Sequence, residues 1–419
     1  MKPPTAASLK KVNAENLAHL GAERLSQILT EVAATRPDLK RRLRMELAAE
    51  QGPEHLAAEI DKRLVSLETS RGKIGWRQRP AFVRDLDALR GLIADRLSDL
   101  DRPAALARLW QFLDTARRVG PRSRDREGAV DAVYVRAAGD AGRLIDGLDP
   151  QMAAIALVEA LVRNPIAWAH WLPELLARAP KATAYAALHL ISERSGATPG
   201  WFTLIRQLAD ASGEVDAYRA TYTVEALQTP SIAAEVAQRY LAADQVEAAG
   251  DILKRAEPKP TSGKGKGAGP DFAWETAWID YLERSGRSAE AAAVLWSSFE
   301  RTLAVERAKA FIGRLDDFDD VEAEQRALDH VRGYPDFEAA LRFLMDWPAL
   351  VDAARLIRAR PDEIKLGAEA AEAWAAKLRA RQPLAAHILL RKAAAAAFRR
   401  REFKACDRLT VEADSIDLG

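Results

Sequence analysis

The chain has a single cysteine, Cys406, among 419 residues. One thiol cannot close an intramolecular disulfide, and a reducing compartment is the expected setting. No uncharged apolar run approaches the ~18–20 residues a membrane span needs. The chain opens Met-Lys-Pro-Pro-Thr with no apolar stretch behind it, so no secretory leader is expected. These absences together lead to the expectation of a cytoplasmic protein without membrane contact. Runs of β-branched or aromatic residues at period two are almost missing, which argues against a sheet. Six histidines occur (His19, His55, His170, His189, His330 and His387), and none stands three or four residues from another. A metal centre would have to be assembled from distant segments, and none is expected. No Gly-x-Ser-x-Gly elbow is present, and no catalytic or cofactor-binding residue can be nominated.

What the chain has is helix-forming material. It is 48% apolar and 29% charged, dominated by Ala, Leu, Arg and Glu. Helical periodicity recurs between punctuation by Pro or Gly. Leu17, Leu20, Leu25, Ile28, Leu29 and Val32 share one face of a helix expected from Asn13–Ala14 onward. Pro37 opens a second helix to Glu50, and Gly52-Pro53 starts a third through Leu56, Ile60, Leu64 and Leu67. Arg71 to Pro80 reads as a basic connector, followed by a helix through Phe82, Leu86, Leu89, Ile93 and Leu97. Asp101-Arg102-Pro103 starts the next, and Gly120 to Asp125 reads as a loop. Helices resume over Glu127–Asp146; Asp149-Pro150 and Asn164-Pro165 bracket the next, Ala179-Pro180 ends another, and starts follow at Thr198-Pro199 and Thr229-Pro230. Short joints favour antiparallel neighbours. The expected fold is all-α, an α-solenoid of antiparallel helical hairpins forming a TPR-like or HEAT-like superhelix.

Three segments share an aromatic-Leu pair, a gap, then an acidic-Ala-Ala triplet: Tyr240-Leu241 with Glu247-Ala248-Ala249, Tyr281-Leu282 with Glu290-Ala291-Ala292, and Phe343-Leu344 with Asp352-Ala353-Ala354. Phe398 with Phe403-Lys404-Ala405 is a looser fourth. The aromatic is expected to fill the gap between paired helices, and the small residues to let the next helix approach. The period is irregular, so the pattern establishes a repeat without its type. Glu257 to Pro270 carries no apolar side chain larger than alanine and reads as a flexible linker. Its Gly265-x-Gly267-x-Gly269 lacks the strand and the Gly-Lys-Ser/Thr of a phosphate loop. The expected organisation is a tail over 1–12, a helical domain over 13–148, central repeats over 149–256, the linker over 257–270, and TPR-like repeats over 271–419.

Charge is distributed unevenly. Residues 1–130 carry 25 Lys and Arg against 18 Asp and Glu, while the whole chain has a net charge of +1. The basic excess concentrates in two tracts. Arg71, Lys73, Arg77 and Arg79 surround Trp76, and Arg117, Arg118, Arg122 and Arg124 are followed by Arg126. Both tracts fall in expected connectors. Alternate connectors of a stack share an edge, so the two are expected to form one positive rim suited to phosphate or an acidic protein. The bland reading is a pair of arginine-rich solvated turns. Asp316, Asp317, Asp319, Asp320 and Glu322 lack the Gly and terminal Glu of a calcium loop and read as a solvated helix start. Cys406, beside Lys404 and Arg408, reads as a packed thiol rather than a nucleophile. Trp168 with Trp171, and Trp274 with Trp278, read as core packing, with an aromatic peptide groove as the alternative.

Leu20–Leu64, then Gly75–Leu97, then Ala105–Ala116 resemble an uncharacterised family of proteobacterial helical proteins, a domain of unknown function. The resemblance covers the first ~150 residues. Some relatives carry a zinc-binding SWIM finger elsewhere, and with one cysteine this chain can form none. The resemblance implies a helical fold and brings no catalytic residues. The leading functional expectation is a non-enzymatic scaffold binding a protein or peptide. A nucleic-acid-associated protein using the basic connectors is the second. An enzyme with a site assembled across the superhelix is the third.

Overall fold

A computed structural model describes residues 12–194, 200–258 and 271–418. These are predominantly helical, with no strand among them. They form two compact units, Met1–Thr223 and Val224–Gly419.

The first unit comprises α1 (Ala14–Ala18), α2 (Gly21–Thr35), α3 (Pro37–Gln51), α4 (Pro53–Thr69), α5 (Arg79–Gly91), a π-helical turn (Leu92–Leu97), α6 (Ser98–Leu100), α7 (Arg102–Asp114), α8 (Ala116–Ser123), α9 (Ala129–Ile145), α10 (Pro150–Arg163), α11 (Pro165–Leu176), α12 (Lys181–Ser192), α13 (Trp201–Ser212) and α14 (Val215–Arg219). Many starts follow from local chemistry. Pro sits in the first turn of α3, α4, α5, α7, α10 and α11, where its missing N–H costs nothing. Asn13, Asp101 and Asp149 accept a backbone N–H three residues on, as N-caps do. Much of the packing joins helices next or next but one in sequence, such as α9 with α11, α10 with α12 and α11 with α13, and contacts of α4 with α7 and α8 and of α5 with α9 reach further. Trp168, Tyr134 and Phe112 are among the largest fully buried side chains.

The second unit comprises a 3₁₀ turn (Ala226–Gln228), α15 (Pro230–Ala242), α16 (Val246–Arg255), α17 (Phe272–Arg284), α18 (Ser288–Thr302), α19 (Val305–Ile312), α20 (Asp319–Arg332), α21 (Phe337–Asp346), α22 (Leu350–Ala359), a 3₁₀ turn (Pro361–Glu363), α23 (Ala368–Leu378), α24 (Pro383–Arg399) and α25 (Phe403–Asp414). The same sequence-local packing recurs, α15 with α16 and α17, α24 with α22, α23 and α25. In all three repeat-like segments the aromatic-Leu pair and the second or first Ala of the triplet are buried, on successive helices joined by a tight turn.

Four expectations need correction. The first helix breaks at His19-Leu20, where Gly21 takes φ +76°, a conformation costly for other residues. Its apolar side chains Leu17, Leu20, Leu29 and Val32 are exposed, because α1 packs chiefly on α2 and α2 chiefly on α3. Gly120 to Asp125 is not a loop: α8 runs through Gly120 and Pro121 to Ser123, and the loop begins at Arg124. The fourth repeat-like segment departs from the others: Phe398 and Phe403 pair edge to face on the surface rather than filling a gap. Most of the linker (259–270), the Gly-rich triplet, the helix start at Thr198-Pro199 and all but the last residue of the 1–12 tail lie outside the described residues.

Candidate interaction surface

The two basic tracts are physically joined. After α4 the chain runs extended past Gly72 and lays residues 72–74 along the end of α8. The Ile74 N–H donates to the Arg122 carbonyl at 3.0 Å. The Arg122 guanidinium donates back across the joint, Nε to the Gly72 carbonyl at 2.8 Å and Nη1 to the Leu67 carbonyl at 3.3 Å. Arg79, at the start of α5, closes the other side. Its Nε and Nη2 donate to the Ser123 carbonyl at 3.2 and 3.0 Å, and Nη2 also reaches the Arg124 carbonyl at 3.3 Å. The carbonyls at the end of α8 have no intrahelical partner; the Ile74 N–H and the Arg79 guanidinium supply the missing donors, while the Arg122 guanidinium ties the end of α4 and Gly72 to the joint.

This divides the nine candidate residues by role. Arg79 and Arg122 are half-buried clamps whose donors are committed to backbone oxygens, so the structure uses them to hold the surface together. Arg71, Lys73, Trp76, Arg77, Arg117, Arg118 and Arg124 are exposed, and so is Arg126. Arg117 and Arg118 lie on α8 rather than in a connector. Arg124 takes the left-handed conformation, φ +44° and ψ +43°, at the C-cap of that helix. Among the described residues none of these seven exposed cations joins an ion pair, although ion pairs are frequent elsewhere in the chain. Trp76 is 71% exposed, and the Arg77 guanidinium carbon lies 4.9 Å from its ring centroid, within cation–π range. An exposed tryptophan inside a cluster of unpaired cations is a surface that gains from a partner, because apolar area stays wet and like charges stay uncompensated without one.

The other candidates have structural roles. Trp168 and Trp171 are buried, and Trp171 stacks on Tyr134 at 5.6 Å. Trp274 is buried with its Nε1 donating to the Leu253 carbonyl at 3.0 Å. Trp278, stacked on Trp274 at 5.4 Å, is half-buried. Cys406 is half-buried against the core of the second unit. Asp319, Asp320 and Glu322 occupy the first turn of α20, where the helix dipole favours them. Among the described residues no group of three or more His, Cys, Asp or Glu is arranged to hold a metal ion. No helix among the described residues is long and apolar enough to cross a membrane.

No curated protein matches this sequence. The chain belongs to a family of unknown function, DUF6880, whose model matches residues 7–176 and 184–415. The match therefore runs far beyond the first ~150 residues to which the sequence resemblance was confined.

Proposed function

We propose that this member of a family of unknown function is a non-enzymatic interaction scaffold, an α-solenoid of TPR-like or HEAT-like helical hairpins. Its basic surface, Arg71, Lys73, Trp76, Arg77, Arg117, Arg118 and Arg124, is the docking site for an acidic segment of a protein partner. The solenoid reading rests on sequence-local packing within each unit and on the buried aromatic-Leu and Ala pairs of three hairpins. The docking reading rests on one observation above others: among the described residues these six exposed cations carry no ion pair, and they share two adjoining tracts with a tryptophan that is 71% exposed. Arginine and aromatic side chains are the residue types that dominate binding hot spots. The single cysteine supports a cytosolic setting as part of the same proposal.

The test is affinity capture from native lysate with cross-linking. Wild type is compared with the quadruple variant Arg71→Ala, Lys73→Ala, Trp76→Ala, Arg77→Ala. The expected result is an acidic partner whose cross-links fall on residues 71–79 and 116–126 and which the variant does not retain. Cross-links confined to other faces, or equal recovery by the variant, would overturn the proposal.

A second reading has its own observation. Arg77 over the exposed Trp76 ring is the combination that stacks and neutralises single-stranded nucleic acid. It requires salt-sensitive binding of an oligothymidine that weakens in Trp76→Ala. Absence of binding at low salt removes it.

A further inference from the structure

Beneath the basic surface the first unit holds a cavity of about 220 Å³ between the end of α8, the start of α9 and the start of α11. Its lining includes Ser123, Asp125, Asp131, Tyr134, Asn164 and Trp171. None of the carboxylates or the amide was singled out by sequence, because no motif joins residues so far apart.

Asp125 is the unusual member. Its side chain is only 6% exposed. Oδ2 accepts the Val130 N–H at 2.6 Å, capping α9. Oδ1 is buried and accepts no hydrogen bond. The closest cationic atom is Arg79 Nε at 3.9 Å, beyond hydrogen-bond reach, and that guanidinium is already committed to the Ser123 and Arg124 carbonyls. A buried carboxylate oxygen without a donor is costly, and native structures rarely leave one so.

The rest of the lining shares a bias toward acceptors. Asp131 accepts the Trp171 Nε1–H at 2.9 Å through Oδ1, and its Oδ2 lies 3.1 Å from His170 Nε2. It keeps further lone pairs for a ligand. Asn164, the N-cap residue of α11, makes no side-chain cap bond. The Ser123 hydroxyl donates to the Gly120 carbonyl at 2.9 Å, and the Tyr134 hydroxyl is paired with Thr115 at 2.9 Å. The Tyr134 and Trp171 rings, stacked on each other, complete the lining. The cavity thus offers two carboxylates and an amide beside two aromatic rings. It is smaller than an ordinary drug-sized site, so it suits one compact group.

We infer that this cavity binds a guanidinium group, carried either by a small molecule or by an arginine side chain of a peptide. A guanidinium is planar, always charged, and supplies five N–H donors with no acceptor, the complement of this lining. The exposed cations above do not forbid it. They are screened over ~8 Å at physiological ionic strength, whereas the buried carboxylate is screened much less. The inference is independent of the acidic-partner reading.

The experiment uses the full chain, calorimetry and ligand-observed NMR. The probes are methylguanidinium and acetyl-Gly-Arg-Gly-amide, with urea as the uncharged planar control. Two variants report on the site: Asp125→Asn, which keeps an acceptor for the Val130 N–H but removes the charge, and Ala167→Phe, which fills the cavity. Thermal unfolding verifies that each folds, and Asn164→Leu substitutes for any that does not. The expected result is saturable binding of methylguanidinium, weakened about tenfold or more by Asp125→Asn and abolished by Ala167→Phe, with no binding of urea. Tighter binding of the tripeptide than of methylguanidinium assigns the group to a peptide side chain, and the reverse assigns it to a small molecule. No saturable binding to wild type, or equal binding by the folded variants, overturns the inference. Removing the exposed cations Arg71, Lys73 and Arg77 leaves methylguanidinium binding unchanged, so this site and the acidic docking surface can fail separately.

Discussion

Gly250 illustrates how much a single missing side chain decides. It lies in α16, and a Cβ added there would stand 2.4 Å from Cε2 of the Tyr281 ring on α17. Real carbon atoms do not approach so closely, so the Tyr281 ring packs directly on helix backbone at this position. Gly91 is the control. It is helical at φ −61°, ψ −40°, and its added Cβ would meet nothing closer than 3.7 Å. Gly→Ala inside a helix ordinarily stabilises by roughly 0.5–1 kcal/mol. Gly91→Ala is therefore expected to raise the unfolding free energy by about that amount. Gly250→Ala is expected to lower it by about 1–3 kcal/mol through overpacking. Denaturant titration reads both, and the same sign for the two would contradict the packing described here. At this scale the sequence was partly legible. Tyr281 was recognised as a gap-filler, but what it packs on was not, because a glycine's reason lies on another helix. Arg79 and Arg122 were legible as basic residues and not as clamps, because their partners are carbonyls 44 to 55 residues away in the chain.

Helix starts were the most readable elements, since Pro in the first turn and Asp at the N-cap act within four residues. Element ends and exposures were less so. Gly120-Pro121 is a turn signal by composition, yet α8 carries it because the Ile74 N–H and Arg79 supply donors at the helix end. Phe398, on α24, and Phe403, on α25, match the aromatic pattern but face solvent and pack against each other edge to face. Ionic links between elements were not legible at all. Arg90 of α5 bridges Asp87 on its own helix, at 2.7 Å, and Asp140 on α9. Asp140 is buried. Arg90→Ala would strand that carboxylate with only Arg143 nearby, 3.8 Å away. Losing one partner of a buried pair costs about 3–5 kcal/mol, and the remaining arginine places this case near 3 kcal/mol. Restoring stability with the further change Asp140→Leu would show that the cost is the orphaned charge; a loss below about 0.5 kcal/mol for Arg90→Ala, ordinary for a surface site, would contradict it.

Across the whole molecule, exposed ion pairs set the acid limb of stability. Asp38 is held down to about 2 by its hydrogen bond from Arg36. Hydrogen bonds from Arg314, Arg287, Arg360 and Lys392 likewise hold Glu283, Glu290, Glu363 and Asp362 below the ordinary range. A carboxylate lowered on folding contributes stability that is fully present above its unfolded value, 3.8 for Asp and 4.5 for Glu, and is lost as pH falls through the folded value. Asp280 works the other way, because burial raises it. Asp87 is also lowered, its desolvation outweighed by Arg90 and Arg136, and six lowered carboxylates against one raised predict a thermal midpoint that falls as pH drops from 4.5 toward 2, and less so in high salt. A midpoint that rises on acidification would contradict this.

The all-helical class was legible from periodicity alone, and the positive surface from charge clustering. That the two basic tracts touch was expected from the stacking of connectors, and they do meet, although one belongs to a helix. The central claim is that this joint docks an acidic partner. The most direct measurement is amide hydrogen exchange during titration with an acidic peptide, comparing wild type with a chain carrying Arg71→Glu, Arg77→Glu and Arg117→Glu. The account predicts protection confined to residues 71–79 and 116–126, lost on charge reversal. Protection elsewhere, or protection that survives the reversal, would contradict it.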